Sequence, residues 1–175
     1  MRHSFTPAAE RALAEAAAWS LGEFSDALEA PALLLGLLAE SECRAAMTLS
    51  RHAVNADAVL TRWPSLVRMP NRFAAWPSAP PIQTGISGGM PVRHFAPEVQ
   101  ASLATVVRRL RKWGVPPELG TEHMMLGLTV SGHEVSQWLS QWGIQPEPLE
   151  EEILRALGYE PLPASASREP LPMGE

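Results

Sequence analysis

Apolar positions fall at helical spacing in separate stretches along the chain, each broken by turn-forming residues. Ala9, Leu13, Ala16 and Ala17 recur three and four residues apart and predict an amphipathic helix, with Thr6 as its cap and Pro7 at its first position. A short apolar helix is predicted over 31–38. A third, over 42–52, carries Cys43, Ala46 and Met47, and a fourth starts at Asn55 and holds Val59, Leu60 and Trp63. The plan then recurs. Val99, Leu103, Val106, Val107 and Leu110 line a first helix and Thr121 is placed to cap a short second one. Val135, Trp138, Leu139 and Trp142 mark a third, and Leu149, Ile153, Leu154 and Leu157 a fourth. No stretch shows the alternation of a convincing strand. The pattern predicts an all-α fold.

The recurrence extends to the letters. Phe5-Thr6-Pro7 returns as Phe95-Ala96-Pro97, 90 positions later, and Leu33-Leu34-Leu35-Gly36-Leu37-Leu38 returns as Met124-Met125-Leu126-Gly127-Leu128-Thr129, 91 positions later. One inserted residue accounts for the difference, and the loop 115–119 is the expected place for it. Between the copies, residues 64–91 hold six prolines, three glycines and no acidic residue, the composition of a linker. Phe73, Trp76, Ile82 and Met90 are its residues able to pack on a neighbour. From Tyr159 onward Pro161, Pro163, Pro170 and Pro172 predict a solvated tail. The expected division is repeat one over 3–63, linker over 64–91, repeat two over 92–158 and tail over 159–175.

Composition narrows the class without naming a function. With 46% hydrophobic and 19% charged residues among 175, the chain can bury a core and lies far from the disordered regime. A net charge of -5 supplies no field to attract nucleic acid or an anionic membrane. The one cysteine, Cys43, excludes an intramolecular disulfide and suits a reducing compartment. No signal-peptide pattern opens the sequence and no stretch approaches the roughly 18 apolar residues of a membrane span, so a cytoplasmic location is expected.

Candidate chemistry is fragmentary. Gly85-Ile86-Ser87-Gly88-Gly89 matches the letters of a nucleophile elbow but lacks the strand before it and the helix after it. His133-Glu134 opens like a zincin helix, yet the second histidine position is Gln137. Glu122-His123 and His133-Glu134 lack known metal spacings and read as structural or exposed histidines. Lys112 is the only lysine and no glycine-rich loop precedes it, so no phosphate-binding loop can form. Arg108, Arg109, Arg111 and Lys112 make a basic run best read as a solvated helix face. Of the six tryptophans, Trp138 and Trp142 stand one helical turn apart, and an exposed member of the set would anchor a partner. These patterns predict binding rather than catalysis, with no catalytic residue, cofactor or metal.

A duplicated four-helix unit opening on Phe-Thr-Pro or Phe-Ala-Pro and carrying Gly120-Thr121-Glu122-His123-Met124-Met125-Leu126-Gly127-Leu128 resembles the Clp N-terminal repeat domain. That domain docks substrates and adaptors at the front of ClpA-, ClpB- and ClpC-type AAA+ unfoldases. The resemblance covers residues 3 to about 158 and implies a pseudo-twofold pair of four-helix repeats, here without an ATPase module. It implies a protein-binding role as adaptor or modulator of Clp-dependent proteolysis or chaperone activity, with an unfoldase, its substrates or its adaptors as partners. A structural or regulatory interaction module used outside proteolysis is the alternative.

In relatives of the ClpC type the motif glutamate and the threonine after the opening aromatic contribute to pockets for phosphorylated arginine. The resemblance therefore points to Thr6, Thr121, Glu122 and His123 as candidate pocket residues. Taken copy by copy, Thr6 goes with Pro31 and Ala96 with Glu122, so each pocket keeps one group and lacks the other. Weak or absent phosphoarginine binding is the expectation.

Overall fold

Thr6 does cap the first helix: its Oγ1 accepts the Ala9 N–H at 3.3 Å, ahead of Pro7. The structure is a computed structural model that describes residues 4–21, 27–68, 95–114 and 118–158. Within these residues eight helices form: α1 (Pro7–Ala16), α2 (Ala30–Ala39), α3 (Arg44–Arg51), α4 (Ala56–Arg62), α5 (Pro97–Lys112), α6 (Thr121–Val130), α7 (Glu134–Gln141) and α8 (Pro146–Ala156). The all-α class holds.

Four very short strands accompany them, where the sequence predicts none. β1 (Ser4–Phe5) pairs in parallel with β4 (Glu118–Leu119), and β2 (Trp19–Leu21) pairs antiparallel with β3 (Leu66–Arg68). Strands of two or three residues are too short to show a period of two, which is why the pattern misses them. β3 also means that residues 66–68, expected as the start of the linker, belong to the packed structure, with Leu66 6% exposed. Phe73, Trp76, Ile82, Met90, Ser87 and the stretch from Tyr159 lie outside the described residues.

α2 and α6 are apolar all round and take the central positions that such helices require. In α2 every residue from Ala30 to Leu37 is buried, and in α6 Thr121 and every residue from His123 to Thr129. α1 packs on α2 and α5 on α6, while α6 also meets α1, α2 and α3. One contiguous core results, running from Phe5, Leu13, Leu33 and Leu49 through Leu103, Leu119, Met124 and Leu139. Glycine permits the two closest crossings. A Cβ at Gly36 would stand 2.1 Å from the Ala12 carbonyl oxygen of α1, and one at Gly127 would stand 3.1 Å from the Ser102 carbonyl oxygen of α5.

The turns after α3 and α7 are built alike. Val54 N–H donates to the Leu49 carbonyl at 2.9 Å, and Ile144 N–H to the Leu139 carbonyl at 3.1 Å. Ala53 and Gly143 precede them at φ 59° and 79°. The caps match in position and differ in chemistry: Cys43 Sγ accepts the Ala46 N–H, and His133 Nδ1 accepts the Ser136 N–H.

Residues 115–117 of the loop 115–119, the expected place of the inserted residue, lie outside the described residues; Leu119 is buried in β4, and α5 has 16 residues where α1 has 10 and gives way to β2. One expectation needs correction. Met47, expected on an apolar face, is 50% exposed because α3 turns Ala45, Ala46, Thr48 and Leu49 inward instead.

Candidate protein-binding surface

The strand pairing decides which motif residues meet. β1 lies against β4 with Phe5 opposite Leu119, and Thr6 N–H donates to the Leu119 carbonyl at 3.0 Å. Phe95 pairs instead with Leu28, and Ala96 N–H donates to the Leu28 carbonyl at 3.0 Å. Thr6 thus stands beside the start of α6 and Ala96 beside the start of α2. The copy-by-copy pairing expected from sequence is crossed: Thr6 neighbours the Glu122 segment, and Ala96 neighbours the Pro31 segment. The Thr6 corner brings a threonine to the Glu122 segment. At the Ala96 corner the carboxylate is that of Glu29, next to Leu28; Glu29 is the N-cap residue of α2, and its Oε2 accepts the Leu21 N–H at 3.4 Å.

At the Thr6 corner the cap of α6 differs from expectation. Gly120, not Thr121, is the N-cap; Thr121 is already helical, and its hydroxyl donates to Glu122 Oε2 at 3.4 Å. The Glu122 carboxylate folds back over Gly120, where a Cβ would stand 2.6 Å from Oε2. His123 completes the turn, its Nδ1 accepting the Gly120 N–H at 2.9 Å. Neutral His123 therefore carries its proton on Nε2, which is buried without a hydrogen-bond partner. Burial pushes this imidazole below the usual histidine range; Glu122 opposes the shift and Arg44 adds to it.

Glu122 also reaches a groove between α3 and α8. A hollow of about 210 Å³ is lined by Arg44, Met47 and Thr48 of α3, Glu122 of α6, and Leu149, Glu152, Ile153 and Ala156 of α8. It opens into a wider depression of about 750 Å³ that adds Ser41, Ser50 and Arg51. Arg51 bridges the groove to Glu152 at 2.5 Å and also donates to the Thr48 hydroxyl at 2.8 Å. Trp142 is 37% exposed and continues an edge-to-face row, Trp63–Trp138–Trp142, with ring centres 5.1 and 5.8 Å apart.

A serine and a histidine do meet, at Ser102 and His133, 3.2 Å apart. The hydrogen bonds run the wrong way for a nucleophile. Ser102 Oγ donates to the Glu98 carbonyl at 2.7 Å, and His133 Nδ1 is occupied by the Ser136 N–H, so the proton on Nε2 points at the serine oxygen. Ser102 is also 1% exposed and His133 half-buried, so the pair ties α5 to the start of α7. Among the described residues no group of three or more histidine, cysteine, aspartate or glutamate side chains could hold a metal ion. No helix among them is long and apolar enough to cross a membrane. Of the basic run, Arg109 is committed to Glu150 and Arg108 donates to the Thr105 hydroxyl. No known protein-family profile matches the chain, and no curated protein matches it.

Proposed function

We propose that the chain is a non-catalytic protein-binding module with the double-repeat architecture of the Clp N-terminal domain, acting as an adaptor or modulator of Clp-type proteolysis. The reciprocal strand exchange carries this reading: Phe5 goes to Leu119 and Phe95 to Leu28, each opening aromatic pairing with the segment before the other set's second helix. Such reciprocity is what two equivalent units related by a twofold axis produce. The matched turns at Ala53 and Gly143, and the paired glycines Gly36 and Gly127, support the same architecture. A docking role in the cytoplasm accords with the acidic composition and the single cysteine of the chain.

The crossed corner changes what this module binds. A guanidinium needs a carboxylate and a phosphoryl group needs donors, and the Thr6 backbone is tied to Leu119, three residues before Glu122. Phosphoarginine should therefore bind at one site, against the sequence expectation of weak or absent binding. Calorimetric titration should give a saturable one-site isotherm, weakened roughly 10- to 150-fold by Glu122→Ala, as loss of one charge-assisted bond implies. Thr6→Ser should retain binding that Thr6→Val loses. For the wider role, the protein is added to a purified Clp unfoldase–protease pair degrading a tagged reporter. A changed degradation rate that Glu122→Ala reverses supports the adaptor reading. An unchanged rate with no complex formed would move the assignment to an interaction module outside proteolysis.

A further inference from the structure

The caps of α3 and α7, Cys43 and His133, stand 90 positions apart, and so do the cap residues of α4 and α8, Asn55 and Gln145. The same offset sets Thr48 against Trp138 and Trp63 against Ile153. Between α4 and α7 the two tryptophans pack edge to face with ring centres 5.1 Å apart, and both are buried. Arg62 lies over the Trp63 ring at 5.5 Å and pairs with Glu134. Between α3 and α8 the corresponding residues are a threonine and an isoleucine, and the hollow of about 210 Å³ lies there. That is the room of several water molecules, at roughly 30 Å³ each, against the apolar walls of Leu149 and Ile153. The rim charges are exchanged as well. Arg44 stands where the offset puts Glu134, and Glu152 where it puts Arg62. Glu152 pairs with Arg51, and Arg44 is exposed with no ion pair among the described residues.

We propose that this hollow takes one aromatic side chain of a protein partner, tryptophan above the others, from the residue adjoining a phosphoarginine bound at Glu122. The chemistry of the occupant is read from the place where the chain fills the equivalent space itself, with an indole that carries an arginine over its face. Arg44 lines the hollow and is the guanidinium free to stack on an incoming ring, a contact for which tryptophan is the best partner. The ring also shields Leu149 and Ile153 from water, as an anchoring aromatic does at an interface. Glu122 lines the same hollow, so ring and guanidinium come from neighbouring residues of one peptide, whose Cα atoms stand about 3.8 Å apart. The inference rests on the double-repeat reading and on Glu122 as the partner of the guanidinium, and it adds a sequence preference that neither supplies.

Calorimetry of the full chain with a set of glycine-flanked peptides tests it, each carrying phosphoarginine or arginine followed by tryptophan or alanine. The phosphoarginine–tryptophan peptide should bind about tenfold or more tighter than phosphoarginine–alanine, as burial of one large apolar side chain implies. Thr48→Trp, which puts into the hollow the residue found at position 138, should remove that advantage and leave the alanine peptide within about twofold of its wild-type affinity. Thr48→Val, which keeps the hollow, should keep the advantage. Circular dichroism confirms that both variants are folded. Equal binding of the tryptophan and alanine peptides by the wild type overturns the proposal on its own. So does an advantage that folded Thr48→Trp retains. A tryptophan preference that Thr48→Trp abolishes, with arginine and phosphoarginine bound alike and Glu122→Ala without effect, supports the ring site and overturns the phosphoarginine reading. No binding of any peptide overturns both.

Discussion

His123 joins two roles in one ring, filling the core at 4% exposure and capping α6 through Nδ1. Protonation would turn that acceptor into a donor aimed at the Gly120 N–H. Its folded-state pKa lies below the unfolded value of about 6.5, and that of His133 is lowered by burial too, with Glu98 opposing. Between the folded and unfolded values the unfolded chain binds more protons, so stability rises with pH. The contribution is full above about pH 6.5 and falls away as the pH drops toward the folded values. Urea unfolding at stepped pH from neutral into the mildly acidic range should show this fall, and His123→Gln should flatten it. Glutamine at the third helical position keeps an acceptor for Gly120 without titrating. Ala53 offers an opposite case, since a side chain at φ 59° is strained where its counterpart Gly143 is not. Ala53→Gly should stabilise by about 1 kcal/mol, read as a higher urea midpoint with unchanged slope. Neither residue announces itself in sequence: the histidine's partner is a backbone N–H, and alanine is an ordinary occupant of many conformations.

At the scale of elements, what the sequence makes legible is periodicity. The stripe of α5, Val99, Leu103, Val106, Val107 and Leu110, is buried as its spacing predicts, and Asn55 caps α4 through its side chain at 2.9 Å. The runs around Gly36 and Gly127 read as buried helices because no polar face interrupts them. What stays illegible is held by single contacts between distant segments: β1 finds β4, and Thr6 finds the Glu122 segment, across more than a hundred residues of chain. Local pattern contains no record of such pairing, which is why the sequence takes Thr6 with Pro31 and Ala96 with Glu122. The glycine crossings give a graded test. At Gly36 an added methyl meets backbone at 2.1 Å, and α1 and α2 must separate; at Gly127 the nearest atom is 3.1 Å away. Gly36→Ala should cost about 3 kcal/mol or more and Gly127→Ala nearer 1 kcal/mol, as overpacking costs scale with how far the backbone must yield. Chemical denaturation of the two variants side by side decides the ranking, and equal losses would contradict the closer approach of the helices at Gly36.

For the whole molecule, one core without an internal boundary implies one transition. Heat and urea should each produce a single cooperative unfolding step by far-UV and near-UV circular dichroism alike. Two separated steps would mean that α1–α4 and α5–α8 hold together independently. Ion pairs such as Arg62–Glu134 and Arg51–Glu152 join the sets across the surface, but exposed pairs of this kind contribute little beside the buried contacts. The crossed opening strands carry a further consequence, for synthesis rather than for the finished protein. A ribosome releases the chain from its N-terminus, so Ser4 and Phe5 emerge long before Glu118 and Leu119, and the first four helices wait with an unsatisfied edge and a bare aromatic. During that interval a nascent chain is open to proteases and holdase chaperones, or to pairing with the late segment of a neighbour on the same messenger. Slowing translation between the two halves should therefore lower the yield of native protein, while slowing it after residue 158 should leave the yield unchanged.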